Sequence, residues 1–261
     1  MNLFSILSRV RPKRAKAIVG LDVGTRSIKI AVGECRSGGR TTLFGAHLDD
    51  SNGLRNGELV NAVAARHALT RAIREAEEAL GIAIREVVLS VAGDGRETPL
   101  ARLIESLRAH PDIPLVVART VPRGLASAIA VLDSQDKAGV VVLDLGAGTS
   151  DYVVYAGNKV CESGVIPVGG EQLADRMDEL LRSIHCRIAA QGTVDLAGGV
   201  VLLTGGCSRL RGLPELASSI FGTEARRAVP QGFDGLTDHL AVPEMATVVG
   251  LIKCGHTKSP T

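Results

Sequence analysis

Three glycine-containing stretches of this 261-residue chain carry residue types suited to holding a polyphosphate. The first runs Asp22, Val23, Gly24, Thr25, Arg26, Ser27, with Lys29 close behind it. The second runs Asp144, Leu145, Gly146, Ala147, Gly148, Thr149, Ser150. The third is Gly205, Gly206, Cys207, Ser208, Arg209. Glycine leaves successive backbone N–H groups unobstructed, so such a turn forms an anion-binding nest. Thr25, Ser27, Thr149 and Ser150 add hydroxyl donors, and Lys29 offers a point charge to a phosphate. Asp22 and Asp144 are suited to hold the water shell of Mg²⁺, which keeps several waters and takes few carboxylates. The paired Gly205 and Gly206 permit the close approach of a flat ligand. Each stretch taken singly also reads as an ordinary hairpin or helix start. The three together favour a nucleotide.

Buried strands must present these turns. Residues 17–23 and 28–33 read as apolar strands flanking the first turn. Residues 139–145 and 152–155 flank the second, and 199–204 precede the third. Further strands are expected over 41–45, 86–92 and 114–118. Helices are expected over 58–80, 99–109, 124–132, 170–190, 208–221 and 242–252. Strands alternate with helices, so the class is α/β. The phrase from Ile18 to Thr25 recurs from Val141 to Thr149, and Asp22 and Asp144 stand 122 positions apart, as do Gly24 and Gly146. A repeat of this kind points to two like lobes with a cleft between them. The expected division is a tail over 1–16, one lobe over 17–135, a second over 136–252 and a tail over 253–261.

Composition narrows the ligand class. Thirty basic against 28 acidic residues give a net charge of +2, which argues against a broad nucleic-acid-binding face. Aromatic residues make up 2% with no Trp, so the core is aliphatic and little is left for stacking bases. The five cysteines form no C-x-x-C pair, which disfavours zinc, and each reads as a small buried apolar residue. The histidines show no metal spacing and read as surface or helix-end residues. In the first sixteen residues, Leu3, Ile6, Leu7 and Val10 share one face of a helical wheel, followed by Arg9, Arg11, Lys13, Arg14 and Lys16. That pattern suits either an interfacial anchor on an anionic membrane or a solvated tail.

The residues resemble the actin, Hsp70 and sugar-kinase superfamily. Asp22-x-Gly-Thr with Lys29 is similar to its first phosphate loop, Asp144 to Asp151 to its second, and Thr204 to Leu210 to its adenosine segment. Within it the phrases Asn56 to Val60, Leu125 to Leu132, Val165 to Gly170 and Pro243 to Gly250 resemble the bacterial FtsA family. The pilus-assembly PilM proteins are a nearer cousin than actin. The resemblance implies a two-lobed actin-like fold, built from duplicated RNase H-like units, with ATP and Mg²⁺ in the cleft. It implies nucleotide contacts from Asp22, Gly24, Thr25, Arg26, Ser27, Lys29, Asp144, Gly146, Gly148, Thr149, Ser150, Gly169, Gly170, Gly205 and Gly206, with Asp22 and Asp144 at the metal. It implies a cytoplasmic cell-division adaptor on the inner face of the membrane that binds FtsZ and other divisome proteins and associates with itself.

Several departures qualify that expectation. Few residues separate 92 from 120, where the family carries subdomain 1C, and few separate 170 from 199, where subdomain 2B belongs. The family's C-terminal membrane helix has no counterpart in the last residues. Ala147 replaces a glycine. Arg123 stands near the acid or amide that orients the attacking water, and a guanidinium accepts no proton. The expectation is therefore an ATP-binding adaptor with weak or no hydrolysis. The alternatives are a scaffold without nucleotide and a PilM-like adaptor.

Overall fold

The computed structural model describes residues 5–7, 17–36, 40–93, 98–111, 113–133, 139–157, 159–170, 176–191 and 199–255. In chain order the elements are β1 (Ser5–Leu7), β2 (Ile18–Val23), β3 (Ser27–Cys35), β4 (Thr41–Asp50), β5 (Leu54–Arg55), β6 (Glu58–Leu59) and α1 (Ala62–Leu80). There follow β7 (Glu86–Val91), α2 (Pro99–Glu105), β8 (Val116–Pro122) and α3 (Arg123–Val131). The second half holds β9 (Val140–Leu145), β10 (Ser150–Ala156), β11 (Lys159–Ile166), α4 (Met177–Gln191), β12 (Val200–Thr204), α5 (Leu213–Phe221), β13 (Glu224–Arg227) and α6 (Ala246–Cys254).

The sequence repeat is a repeat of topology. One sheet has the order β1-β4-β3-β2-β7-β8 and the other β11-β10-β9-β12-β13. Without the edge strand β1 the two orders are the same. Each begins with an antiparallel meander, and each continues with two strands parallel to the first. The strands β2, β9 and β12 are buried almost throughout, as central strands covered on both faces must be.

Two helices tie the sheets together. The first-half helix α3 packs its Ala128, Ala130 and Val131 into a cluster with Val140, Val142 and Val153 of the second sheet. The second-half helix α6 packs under β2, where a Cβ on Gly20 would stand 2.9 Å from Leu251 Cβ. The helices cross at a point where a Cβ on Gly250 would stand 1.8 Å from the Ala126 carbonyl oxygen. Backbone therefore meets backbone, which explains the run of small residues along both helices.

Several expectations differ from the structure. Ser5–Leu7 forms an edge strand paired antiparallel with His47 to Gly45, not part of a helix, and its flanks lie outside the described residues. The long first helix starts at Ala62, because the Asn61 side chain accepts the Ala64 N–H and caps it. Its buried stripe is Ala65, Ala68, Leu69, Ala72, Ile73 and Ala76, while Val60 and Val63 are exposed. Residues 208–221 break into a short 3₁₀ turn and α5, since Gly212 takes the left-handed conformation between them. The strands β11 and β13 had no clear alternation to reveal them. Cys161 and Cys186 are exposed and His47 is buried, contrary to their compositional reading. No described helix is long and apolar enough to cross a membrane.

The two connections where the resemblance implies larger insertions are short here. Between β7 and β8 the described chain holds only α2 and the 3₁₀ turn Ser106–Ala109. After α4 the chain reaches β12 across residues 192–198, which lie outside the described set.

Candidate functional site

Each lobe builds its glycine loop in the same way. At the end of β2 the Gly24 N–H donates to Ser27 O at 2.9 Å, and at the end of β9 the Gly146 N–H donates to Thr149 O at 2.9 Å. Cross-strand register then places Asp22 opposite Lys29 and Asp144 opposite Asp151. The equivalent positions thus carry a cation in one lobe and an acid in the other. The β5–β6 turn closes the gap between the loops. Asn56 and Gly57 both have positive φ, 49° and 78°, as a type I′ turn requires. The Gly57 N–H donates to Thr25 Oγ1 at 3.0 Å, and a Cβ on Gly57 would stand 2.5 Å from Thr149 Cγ2.

The floor between the loops is a buried charge network. Lys29 Nζ donates to Asp22 Oδ2 at 3.0 Å, and Ser90 Oγ donates to Asp22 Oδ1 at 2.6 Å. Arg123, the first residue of α3, donates from Nε to Asp22 Oδ1 at 3.3 Å, from Nη1 to Thr149 Oγ1 at 3.2 Å and from Nη2 to Val23 O at 3.3 Å. The guanidinium therefore spans both loops. Burial alone would raise the Asp22 carboxyl, but the Lys29 and Arg123 charges, helped by hydrogen bonds from Ser90 and Lys29, hold it well below the usual carboxylate range. Burial likewise opposes the charge on Arg123, and Asp22, Asp151 and Asp144 outweigh it. In the second lobe Thr247 Oγ1 donates to Asp144 Oδ2 at 2.7 Å. Burial keeps that carboxyl above its ordinary value even so.

A cavity of about 470 Å³ lies over this floor, within the range of small-ligand sites. Asp22, Gly24, Thr25, Arg26, Ser27 and Lys29 line it from one side, and Asp144, Gly146, Gly148, Thr149, Gly170, Gly205 and Gly206 from the other. Two expected residues stand behind it. Ser150 is buried and donates to Val168 O at 2.9 Å. Gly169 backs the second loop, where a Cβ would stand 2.3 Å from Ala147 and Gly148 backbone atoms. Both support the loop from beneath and do not face the cavity. Arg123, Thr247, Cys207, Arg209, Leu210 and Glu244 line the cavity beyond those expected. Cys207 Sγ donates to Gly146 O at 3.2 Å, joining the third stretch to the second. Arg209 and Glu244 form a bidentate pair at 3.0 and 2.9 Å on the rim. Their places within the phrases 204–210 and 243–250 were the available signal.

Glycine needs differ along the wall. At Gly205 φ is +81° and a Cβ would stand 2.4 Å from Asp144 Oδ1, so the protein itself demands glycine. At Gly206 a Cβ would meet nothing within 4 Å. Gly206 lines the cavity, and a side chain there displaces no packed neighbour.

Asp151 has one carboxylate oxygen, Oδ2, without a hydrogen-bond partner among the described residues, and Arg123 Nη1 stands 4.0 Å from it. Burial, opposed by Arg123 and reinforced by Asp144, pushes its carboxyl up to about 7. The native state then holds a proton that the unfolded chain releases near pH 4. Asp151 thus costs stability progressively as pH rises between about 4 and 7, by at most about 1.4 kcal/mol per unit. Asp151→Asn is expected to gain stability relative to wild type across that window and to level off above it. Thermal melts of both proteins from pH 4 to 8 check this, and a difference that stays constant with pH would refute it.

Comparison with known proteins places these features. Residues 141–250 match the family model "Cell division protein FtsA". The FtsA of Pseudomonas aeruginosa is 23% identical over 375 residues, covering 93% of this chain and 90% of that protein. An alignment of that length over a 261-residue chain carries long gaps on this chain's side. Among solved structures, the PilM–PilN type IV pilus biogenesis complex superposes with a TM-score of 0.70 at 17% identity, covering 92% of this chain and 99% of that one. MreB5 of Spiroplasma citri, bound to ADP, superposes with a TM-score of 0.59 at 15% identity, covering 92% and 95%. The chain is thus similar in sequence to FtsA, and its two-lobed α/β fold is that of the actin-like ATPases.

Proposed function

We propose that this chain is a nucleotide-binding, actin-like adaptor of cell division that hydrolyses ATP weakly or not at all. The carrying observation is the pair of repeated Asp-x-Gly loops that face one cavity from two lobes. The ADP bound by MreB5 of Spiroplasma citri supports a nucleotide in a cleft of this fold. Gly24, Thr25, Arg26, Ser27, Lys29, Gly146, Gly148 and Thr149 cradle the phosphates, and Asp22 and Asp144 anchor the two loops beneath them. Gly170, Gly205 and Gly206 receive the nucleoside. Weak turnover follows from Arg123, whose guanidinium stays charged and accepts no proton from water. A nucleotide bound to both lobes stabilises their closed arrangement by mass action.

The sequence relation to FtsA supports FtsZ and other divisome proteins as partners, with self-association and a peripheral place on the inner membrane at the division site. The basic residues between Arg9 and Lys16 support contact of residues 2–16 with an anionic bilayer. The PilM superposition supports a second reading, an adaptor of pilus assembly.

Gly206→Val separates the nucleotide reading from a bare scaffold. The added side chain enters open space, so the melting temperature is expected to stay within about 2 °C of wild type. Calorimetric affinity for ADP is expected to fall at least tenfold. Equal ADP affinity in variant and wild type, or a folded wild type that binds no nucleotide, would overturn the assignment.

A further inference from the structure

The Mg²⁺ expected beside Asp22 and Asp144 does not fit the residues around it. Asp22 Oδ2 already accepts from Lys29, and Asp22 Oδ1 accepts from both Ser90 and Arg123. One carboxylate charge thus faces two fixed cations, and little of it is left to orient the water shell of a third. Asp144 is engaged on one side: its Oδ2 accepts from Thr247, and its Oδ1 packs beside the Gly205 backbone. Burial also favours the protonated form of Asp144. Mg²⁺ demands near-ideal octahedral geometry and binds through carboxylates and their ordered waters; both oxygens of Asp22 are committed to other donors, and Asp144 is held by Thr247 where burial disfavours its charge.

The guanidinium of Arg123 occupies the position between the loops. It reaches Asp22 in one lobe and Thr149 in the other, and it lines the cavity. Among the described residues its bonds use three of the five N–H donors that a guanidinium carries. The remaining donors and the Lys29 ammonium can neutralise phosphate oxygens directly, as charge-assisted hydrogen bonds. Resting on the nucleotide reading above, we propose that Arg123 and Lys29 stand in for the divalent cation, so that the chain's ligand is a metal-free nucleoside di- or triphosphate.

Calorimetric titration of the full chain with ADP and with ATP, in excess EDTA and in millimolar Mg²⁺, tests this. The expected result is an affinity in EDTA equal to or tighter than that in Mg²⁺. Binding in Mg²⁺ that falls tenfold or more in EDTA would overturn the proposal while leaving the nucleotide reading intact. No binding in either buffer would overturn both. Arg123→Lys keeps a cation, and Arg123→Gln removes it. Thermal melts first establish that each variant folds, and the wild-type comparison stands if one does not. Arg123→Gln is expected to lose at least tenfold in EDTA, and Arg123→Lys to retain most of the wild-type affinity. Unchanged affinity of a folded Arg123→Gln in EDTA would assign the neutralising role elsewhere and overturn the proposal.

Discussion

Asp22→Ala is expected to lower the melting temperature by roughly 10–15 °C, about 3–5 kcal/mol for a chain of this size. The substitution removes the anion between two buried cations. Arg123 and Lys29 then lose the anion they share, and the Ser90 hydroxyl loses its acceptor. Breaking a buried pair is costly because the surviving charge stays desolvated, whereas removing both members costs much less. Arg123→Met in the Asp22→Ala background is therefore expected to recover part of the loss, and a double-mutant cycle reads the coupling. The effect depends on pH in a fixed direction. The Asp22 carboxyl is held below its ordinary range in the fold, so its contribution is complete above the unfolded value near 4 and vanishes as pH falls through the folded one. The gap between wild type and variant should narrow in acid. A variant that melts within about 3 °C of wild type at pH 7 would show that the network is not structurally coupled.

The sequence revealed the duplicated design because duplication acts on local signals. The strand β2 and its copy β9 are apolar runs ended by the same Asp-x-Gly turn, and turn chemistry depends on neighbours in the chain. The same locality explains what was hidden. The strand β13 reads Glu-Ala-Arg-Arg, and only its parallel pairing with β12 makes it a strand. The strand β11 is mostly half-exposed, so no apolar alternation marks it. Val63 sits at a helical spacing yet points to solvent, because the helix phase is set by Asn61 and the packing of Ala65 against Gly53.

Site residues divide along the same line. The loop residues were legible because glycine, hydroxyl and carboxylate fall within a few positions of one another. Arg123 was noticed only as a substitution, and its partners Asp22 and Thr149 lie 101 and 26 positions away. No local pattern carries a bond of that kind. Thr247 is the same case, the second residue of α6 and 103 positions from Asp144. Both stand at the starts of the two crossing helices. The second lobe's Thr247 holds its acid as the first lobe's Arg123 holds Asp22, so the pseudo-symmetry extends from the loops to the helices beneath them.

That arrangement makes the helix crossing a second sensitive point. Gly250→Ala is expected to destabilise the protein by about 3 kcal/mol, the upper range for overpacking, and to lower its melting temperature by roughly 6–12 °C. A helix normally gains from Gly→Ala, by up to about 1 kcal/mol. Here the added methyl would lie 1.8 Å from the Ala126 carbonyl oxygen and 2.7 Å from its carbon, which are backbone atoms that no rotamer change can move. Either α6 must shift from α3, or both must shift from their sheets. Ala126 lies one turn from Arg123, and Gly250 lies one turn from Thr247, so a displaced crossing also moves the two residues that grip Asp22 and Asp144. Nucleotide affinity should fall together with stability, although Gly250 does not line the cavity. Gly81→Ala serves as the comparison, since its Cβ meets nothing within 4 Å and its penalty comes only from a left-handed φ of +65°. If Gly250→Ala melts at or above the wild-type temperature, the helices have room to part and the close crossing does not fix the cleft.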